Sequence, residues 1–336
     1  MTVGGPSPSA AALAEADPAL LAELDQGLAA VESRLREVVA SSHPMLDLAS
    51  HHLVEAGGKR VRPMLALLAA HLGDPSAQGV VDAAVVVELT HLATLYHDDV
   101  MDEAAVRRGA PSANVRWTNT VAILTGDFLF ARASDLTAGL GTEATHVQSR
   151  TFARLVEGQI AETAGPAPGQ DAIAHHLQVV ADKTGSLIAT SARLGAMVAG
   201  APSADVEAVA RFGELYGVAF QLSDDLIDIA SEREESGKTP GTDLREGIRT
   251  LPVLLVLAST DAADAPLQAL LTGDLDDPTR LAEALTSLRA HPAMEQARQT
   301  LRAQVDQARA AAEQLPAGPV REALSALNDY VLVRSG

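Results

Sequence analysis

The sequence predicts an all-α protein, and three observations carry that prediction. Aromatic residues make up only 3% of a chain that is 47% hydrophobic, so its core is built from Ala, Leu and Val rather than from the β-branched and aromatic residues that favour sheets. Beyond residue 17, apolar residues recur at three- and four-residue steps almost throughout. The interruptions are rich in Gly and Pro, at Gly57-Gly58, Gly73-Asp74-Pro75, Gly109-Ala110-Pro111, Gly165-Pro166, Gly200-Ala201-Pro202 and Pro240-Gly241, as expected where helices end. No convincing alternating strand is found, and no linker is long enough to separate two domains.

Asp17 and Pro18 open the first helix as cap and first helical residue. Leu20, Leu21, Leu24, Leu28, Val31, Leu35 and Val38 continue it on one face. The same spacing predicts helices over roughly 44–56, 63–73, 76–102, 119–139, 143–164, 170–182 and 184–200. Further helices follow over roughly 204–233, 251–259, 263–271, 277–289, 291–313 and 316–333. Residues 1–17 read as a flexible tail without the basic-then-apolar layout of a secretion signal, and 18–336 as one domain. A helical scaffold of this kind places chemistry on inward faces.

Charge narrows the function. Lys and Arg number 25 against 44 Asp and Glu, a net charge of −19, which disfavours nucleic acid and anionic lipid as partners. A phosphate-binding protein of this composition must gather its few cations locally or recruit metal. The absence of cysteine removes disulfides, thiolate metal sites and a Cys nucleophile. No uncharged apolar run approaches the ~20 residues that span a bilayer; the longest is Leu251 to Ala258. A soluble, cytoplasmic protein without a transmembrane segment is expected.

Two acidic clusters stand out. His91-Leu-Ala-Thr-Leu-Tyr-His-Asp-Asp-Val-Met-Asp102 ends an apolar helix, and Asp98 and Asp102 lie one turn apart on one face with Asp99 beside them. Like charges at this spacing cost a few tenths of a kcal/mol per pair, and their C-terminal position opposes the helix dipole. A divalent cation offsets both. Gln221-Leu-Ser-Asp-Asp-Leu-Ile-Asp228 repeats the spacing with Asp224, Asp225 and Asp228. A single triplet reads equally well as a solvated helix end; two do not. Carboxylate oxygens suit magnesium, which shares its shell with water and substrate phosphates.

The cations are gathered too. Gly57-Gly58-Lys59-Arg60-Val61-Arg62-Pro63 joins a tight turn to three positive side chains, suited to charge-assisted contacts with phosphate. Arg107-Arg108-Gly109 follows the first acidic cluster, so metal and arginine could meet one diphosphate. Lys183-Thr184-Gly185 and Lys238 add isolated cations near helix breaks.

With these residues in place, the sequence resembles the trans-isoprenyl diphosphate synthases, or polyprenyl synthetases, over about residues 44 to 260 and more weakly to the end. The motifs that carry the resemblance are GGKRVRP, HLATLYHDDVMD followed by RRG, GDFLFARA, VEGQIAE, DKTGSL, QLSDDLIDI and GKTPGTDLREGIRTLP. The resemblance implies a single large orthogonal helical bundle around a central cavity, of the isoprenoid synthase type, working as a homodimer. It implies magnesium, three ions per active site with substrate bound, held by Asp98, Asp99 and Asp102 with Asp224, Asp225 and Asp228. Arg107 would contact the allylic diphosphate. Lys59, Arg62, His91 and Arg108 would hold isopentenyl diphosphate. Lys183, Gln221 and Lys238 would assist the departing pyrophosphate, and Thr184 the carbocation. One position departs from the pattern: the family reads E-G-K before T-L-P, whereas this chain has Glu246-Gly247-Ile248-Arg249-Thr250, leaving Arg249 to replace the missing lysine or that contact absent.

The implied reaction ionises the allylic carbon–oxygen bond and adds isopentenyl diphosphate, five carbons at a time. Ala93 and Thr94, a turn before the first cluster, would floor the product tunnel. Small residues there leave it open, which points to a product of roughly C30 to C50, unless Leu89, Thr90 or another helix closes the tunnel sooner. The alternatives are a short-chain farnesyl or geranylgeranyl diphosphate synthase, a class I terpene cyclase, and a non-catalytic subunit of a heteromeric synthase. The cyclase needs no GGKRVRP pocket and the subunit would be expected to lack a cluster. Transient membrane contact during product release is compatible with the sequence.

Overall fold

Asp17 caps the first helix, its Oδ1 accepting the amides of Ala19 at 2.8 Å and Leu20 at 3.1 Å, while Pro18 occupies a first-turn position where its missing N–H costs nothing. The computed structural model describes Leu13, residues 17–231 and residues 240–334. The rest of the expected 1–17 tail and Lys238 lie outside the described residues. In chain order the first helices are α1 Pro18–Val38, α2 Pro44–Glu55, α3 Val61–Ala70 and α4 Val80–Met101. A hairpin of β1 Val106–Arg107 and β2 Ala110–Pro111 follows, then α5 Ala113–Arg116, α6 Asn119–Gly139, α7 Thr142–Ala164 and α8 Ala172–Val180. The remainder comprises α9 Ser186–Val198, α10 Ser203–Ala230, α11 Thr242–Arg245, α12 Leu251–Ala258, α13 Ala265–Leu271, α14 Pro278–Ala290, α15 Pro292–Ala312 and α16 Pro319–Val333.

The helices follow the predicted spans closely, with three differences. The hairpin and the four-residue helices α5 and α11 are too short to show a period. Helix α4 begins at Val80, because Gly79 before it adopts φ 99°. The break expected near 183 is no break: Ala181–Gly185 forms one π-helical turn between α8 and α9, with right-handed helical dihedrals at Val180 and Ser186 on either side.

These elements divide into two units interleaved along the chain. One comprises Met1–Ala153, Leu187–Gly213 and Ala311–Leu327, the other Arg154–Ser186, Glu214–Ala310 and Asn328–Gly336. In the first, α4 packs along α6 and against α1 and α3. Leu35, Leu53, Leu65, Leu68, Leu89 and Leu92 are fully buried there, each contributing about 1.5–3 kcal/mol of hydrophobic burial. Helix α3 is buried continuously from Pro63 to Ala70, the pattern of a core helix. It packs so close to α9 that a Cβ on Gly195 would lie 1.9 Å from the carbonyl oxygen of Ala66. That contact fixes the helix whose N-terminal end carries Arg60 and Arg62.

Helix α4 is long and apolar enough to cross a membrane by length and composition alone, yet 67% of its most apolar stretch is buried in protein. Glu88 and the paired Asp98-Asp99 interrupt it, so a search for uncharged runs passes it over. It is the core helix from which both Glu88 and the first acidic cluster project.

Candidate active site

In the first unit the Gly57–Arg62 turn sorts its three cations. Lys59 is exposed. Arg60 adopts a left-handed conformation, φ 48° and ψ 34°, uncommon for a residue with a side chain, and turns inward. Its Nε donates to Glu32 at 2.5 Å, its Nη1 to Glu88 at 2.6 Å and its Nη2 to the Val54 carbonyl at 3.0 Å. Burial opposes its charge, but the two carboxylates outweigh it and raise its pKa. Arg62 is half-buried, with an Nε that is sequestered and without a hydrogen-bond partner. Burial pulls its pKa down to about 10, Glu88 opposing and Arg108 adding to the effect, so it remains a cation at neutral pH. Burial, then Arg62, Arg108, Arg60 and Arg107, push His91 well below the ordinary imidazole value. It is therefore a neutral hydrogen-bonding group beside the arginines.

The hairpin supplies two more cations. Arg107 pairs with Ala110 across the strands, and the two loop residues have positive φ, 53° at Arg108 and 77° at Gly109, as a two-residue primed turn requires. The turn sends adjacent arginines to different places. Arg107 donates from Nε to Asp99 at 2.6 Å and brings Nη2 to 3.8 Å from Asp102. Arg108 donates to the carbonyls of Leu53, at 3.2 Å, and Gly57, with Nη2 3.5 Å from Glu88. Its guanidinium lies against Gly58, where a Cβ would fall 2.9 Å from Cζ, so a side chain there would push the guanidinium off its present carbonyl partners. Burial, partly offset by Glu88, lowers its pKa.

The first acidic cluster is not uniform. Asp98 is half-buried and Asp102, the residue closing α4, is exposed. Asp99 is fully buried, and both of its oxygens are engaged: Oδ1 by Arg107 and Oδ2 by the Ala113 amide at 3.4 Å. Its visible work is to aim Arg107 and seat α5. Ala93 is fully buried, and Thr94 is half-buried with its hydroxyl on the His91 carbonyl at 2.8 Å.

In the second unit the π turn places Lys183 and Thr184. Such turns frequently occur at functional sites. Lys183 pairs with Glu162. Thr184 donates to Gln221 at 3.1 Å, and Gln221 in turn donates to Asp225 Oδ1 at 2.9 Å. The second oxygen of Asp225, in a residue 3% exposed, has no hydrogen-bond partner among the described residues. His176 Nε2, also without one, stands 3.6 Å from it. Asp224 meets Arg334 at 2.8 Å. Asp228 accepts the amides of Thr242 and Asp243, both at 3.3 Å, and so holds the start of α11. Ile248 and Arg249 line one cleft of about 260 Å³ with Arg245, Asp274 and Asp276; none of the second-cluster aspartates lines it.

Sequence reasoning missed Glu32 and Glu88, the inward turn of Arg60, and the positions of His176 and Arg334. Only Glu88 left a signal: it is a lone acid in an apolar helical run, one turn before His91.

The residues fit magnesium. Both clusters offer carboxylate oxygens, the hard donors that suit an ion sharing its shell with water and phosphate oxygens; among the described residues no three His or acidic side chains form a ready cage. The buried, unpartnered oxygen of Asp225 is the kind of atom such an ion would satisfy.

Comparison with known proteins gives concordant results. Residues 43–288 match the family model described as polyprenyl synthetase. The chain is 49% identical over 321 residues to nonaprenyl diphosphate synthase of Mycobacterium tuberculosis, covering 95% of this chain and 96% of that protein. It is 40% identical over 317 residues to dimethylallyltranstransferase of the same organism, covering 94% and 96%. Among solved structures, geranylgeranyl pyrophosphate synthase from Corynebacterium glutamicum, complexed with calcium and isoprenyl diphosphate, superposes with a TM-score of 0.86 at 44% identity, covering 95% of this chain and 98% of that one.

Proposed function

The chain belongs to the polyprenyl synthetase family, and on that premise we propose that it is a magnesium-dependent trans-polyprenyl diphosphate synthase, joining an allylic diphosphate head to tail with isopentenyl diphosphate. Its all-α architecture is the isoprenoid synthase fold. The observation that supports the reaction most directly is the division of labour in the hairpin. Arg107 joins the first aspartates, whereas Arg108 joins a separate group with Arg62 and His91. Two cation sets suit two diphosphate substrates. A terpene cyclase handles one.

In this reading Arg107, Lys183 and Lys238 donate to the allylic diphosphate as its carbon–oxygen bond breaks, stabilising charge where it develops. Lys59, Arg62, His91 and Arg108 hold the second diphosphate. The alkene electron pair of isopentenyl diphosphate forms the new carbon–carbon bond, and the proton lost from the adjacent carbon goes to the released pyrophosphate. The Thr184 hydroxyl lies toward the cation, oriented by Gln221. Magnesium bound through Asp98, Asp102, Asp224 and Asp225 supplies the positive charge that makes pyrophosphate a competent leaving group. Asp99 and Asp228 act through what they hold, Arg107 and α11.

Ala93 and Thr94 support a product of roughly C30 to C50, because neither is bulky enough to cap a tunnel. The relatives and solved structures are named for products within this range, as in nonaprenyl and decaprenyl diphosphate synthases, and for shorter ones, as in geranylgeranyl pyrophosphate synthase, so the choice between them rests on these residues. The exposed stripe Phe152, Val156 and Ile160 on α7 supports a homodimer, since contiguous apolar surface of this kind marks interfaces. A cytoplasmic location fits the acidic, cysteine-free composition.

The test is incubation of the purified protein with farnesyl diphosphate, isopentenyl diphosphate and magnesium, with products sized by chromatography. The expected result is a prenyl diphosphate series ending between C30 and C50. A stop at C15–C20 would favour the short-chain alternative, and a hydrocarbon or alcohol the cyclase. No product from the chain alone would favour a subunit of a heteromeric enzyme.

A further inference from the structure

Glu88 lies at the centre of the cation group yet has no place in the reaction just described. It is 2% exposed, on α4 one turn before His91. One of its oxygens, Oε1, is shared by two arginines: Arg60 Nη1 at 2.6 Å and Arg108 Nη2 at 3.5 Å. Arg60 ties this carboxylate to Glu32 on α1 and to the Val54 carbonyl at the end of α2. Glu88 also offsets part of the cost of keeping Arg62 and Arg108 charged in a crowded recess.

The charges explain why such a residue is needed. Arg60, Arg62 and Arg108 gather three guanidinium groups against two carboxylates, Glu32 and Glu88, with His91 held neutral. Without Glu88 the three cations would repel one another and the Gly57–Arg62 turn would lose its link to α4. With Glu88 one positive charge remains in excess, facing a ligand that must be an anion.

We propose that Glu88 is a positioning residue for isopentenyl diphosphate: its carboxylate locks Arg108 and, through Arg60, the turn carrying Lys59 and Arg62 into one diphosphate-binding geometry. This rests on the assignment of Lys59, Arg62, His91 and Arg108 to that substrate. Removing a charge-assisted partner from a buried guanidinium weakens the dependent geometry by about 10- to 100-fold in affinity. The loss should fall on one substrate only.

The experiment measures calorimetric binding of isopentenyl diphosphate alone, and steady-state KM values for both substrates, in wild type, Glu88→Gln and Glu88→Asp. Glu88→Gln should weaken isopentenyl diphosphate binding and raise its KM by about 10- to 100-fold, leaving the allylic KM within about twofold. Glu88→Asp keeps the charge and should recover part of the loss. Equal affinity in wild type and Glu88→Gln, or equal changes in both KM values, would overturn the role of Glu88. Failure of wild type to bind isopentenyl diphosphate would instead sink the substrate assignment beneath it. If Glu88→Gln does not fold, Arg60→Lys carries the test, since a single ammonium cannot reproduce the three separate nitrogens that reach Glu32, Glu88 and the Val54 carbonyl; an unchanged isopentenyl diphosphate KM there overturns the proposal.

Discussion

Neutralising Asp98 and neutralising Asp99 are the same chemical change on adjacent residues, and the structure predicts unequal consequences for stability. Asp99 is fully buried and receives two donors, Arg107 Nε at 2.6 Å and the Ala113 amide at 3.4 Å. Asparagine offers one carbonyl and one amino group, so one donor would face another donor. The Ala113 contact is long and contributes little; the Arg107 bond is charge-assisted and worth about 1.5–3 kcal/mol. Breaking a wholly buried pair costs more, about 3–5 kcal/mol, but the Arg107 side chain is 27% exposed and can recover water. The net cost of Asp99→Asn is therefore about 2 kcal/mol, or a fall of about 3 °C in Tm for a chain of 336 residues. Asp98→Asn removes a like charge one turn from Asp102, which offsets what it loses, so its stability should change by less than about 0.5 kcal/mol. Both variants should lose activity, Asp98→Asn through the metal and Asp99→Asn through a misdirected Arg107. Differential scanning calorimetry beside the elongation assay separates them. An unchanged Tm for Asp99→Asn, or a large fall for Asp98→Asn, would refute the division between scaffold and ligand.

Three further outcomes are expected. His91 titrates near ~6.5 in the unfolded chain and well below that in the folded one, so the unfolded state binds more protons as pH falls through the unfolded value. Stability should drop in that window, and His91→Asn should lose less, as read from urea midpoints at successive pH values. Gly195→Ala drives a methyl against the Ala66 carbonyl, with no flexible side chain to yield; it should cost about 3 kcal/mol or more and raise the isopentenyl diphosphate KM by displacing α3. Ala93→Phe should shorten the product, and an unchanged distribution from a folded variant would remove Ala93 from the tunnel floor.

The helices were legible because their spacing is local. Asp17 and Pro18 announce a helix start in two residues, and α6 and α7 follow the apolar rhythm almost to the residue. Features decided by partners far along the chain were not legible. Lys59, Arg60 and Arg62 look equivalent in sequence, and only Glu32 and Glu88, each 28 residues from Arg60, decide that the middle one faces inward. Asp98 and Asp99 are likewise indistinguishable until Arg107 and Ala113 arrive from the following hairpin. Arg334 reaches Asp224 across more than a hundred residues, and no local pattern encodes that. The π turn escaped for a different reason, since one extra residue in a helix looks like a change of phase, and a change of phase reads as an end.

The hairpin of Val106–Pro111 sets a length as well as a direction. Its two arginines are successive residues, so the span between what each one grips is limited to what a single peptide link and two side chains allow. A residue inserted between them would turn one guanidinium away while leaving every charged group in the molecule intact. Such an insertion should leave each substrate bound separately yet no longer held in register for bond formation, which makes this six-residue loop a gauge for the gap that the new carbon–carbon bond must close.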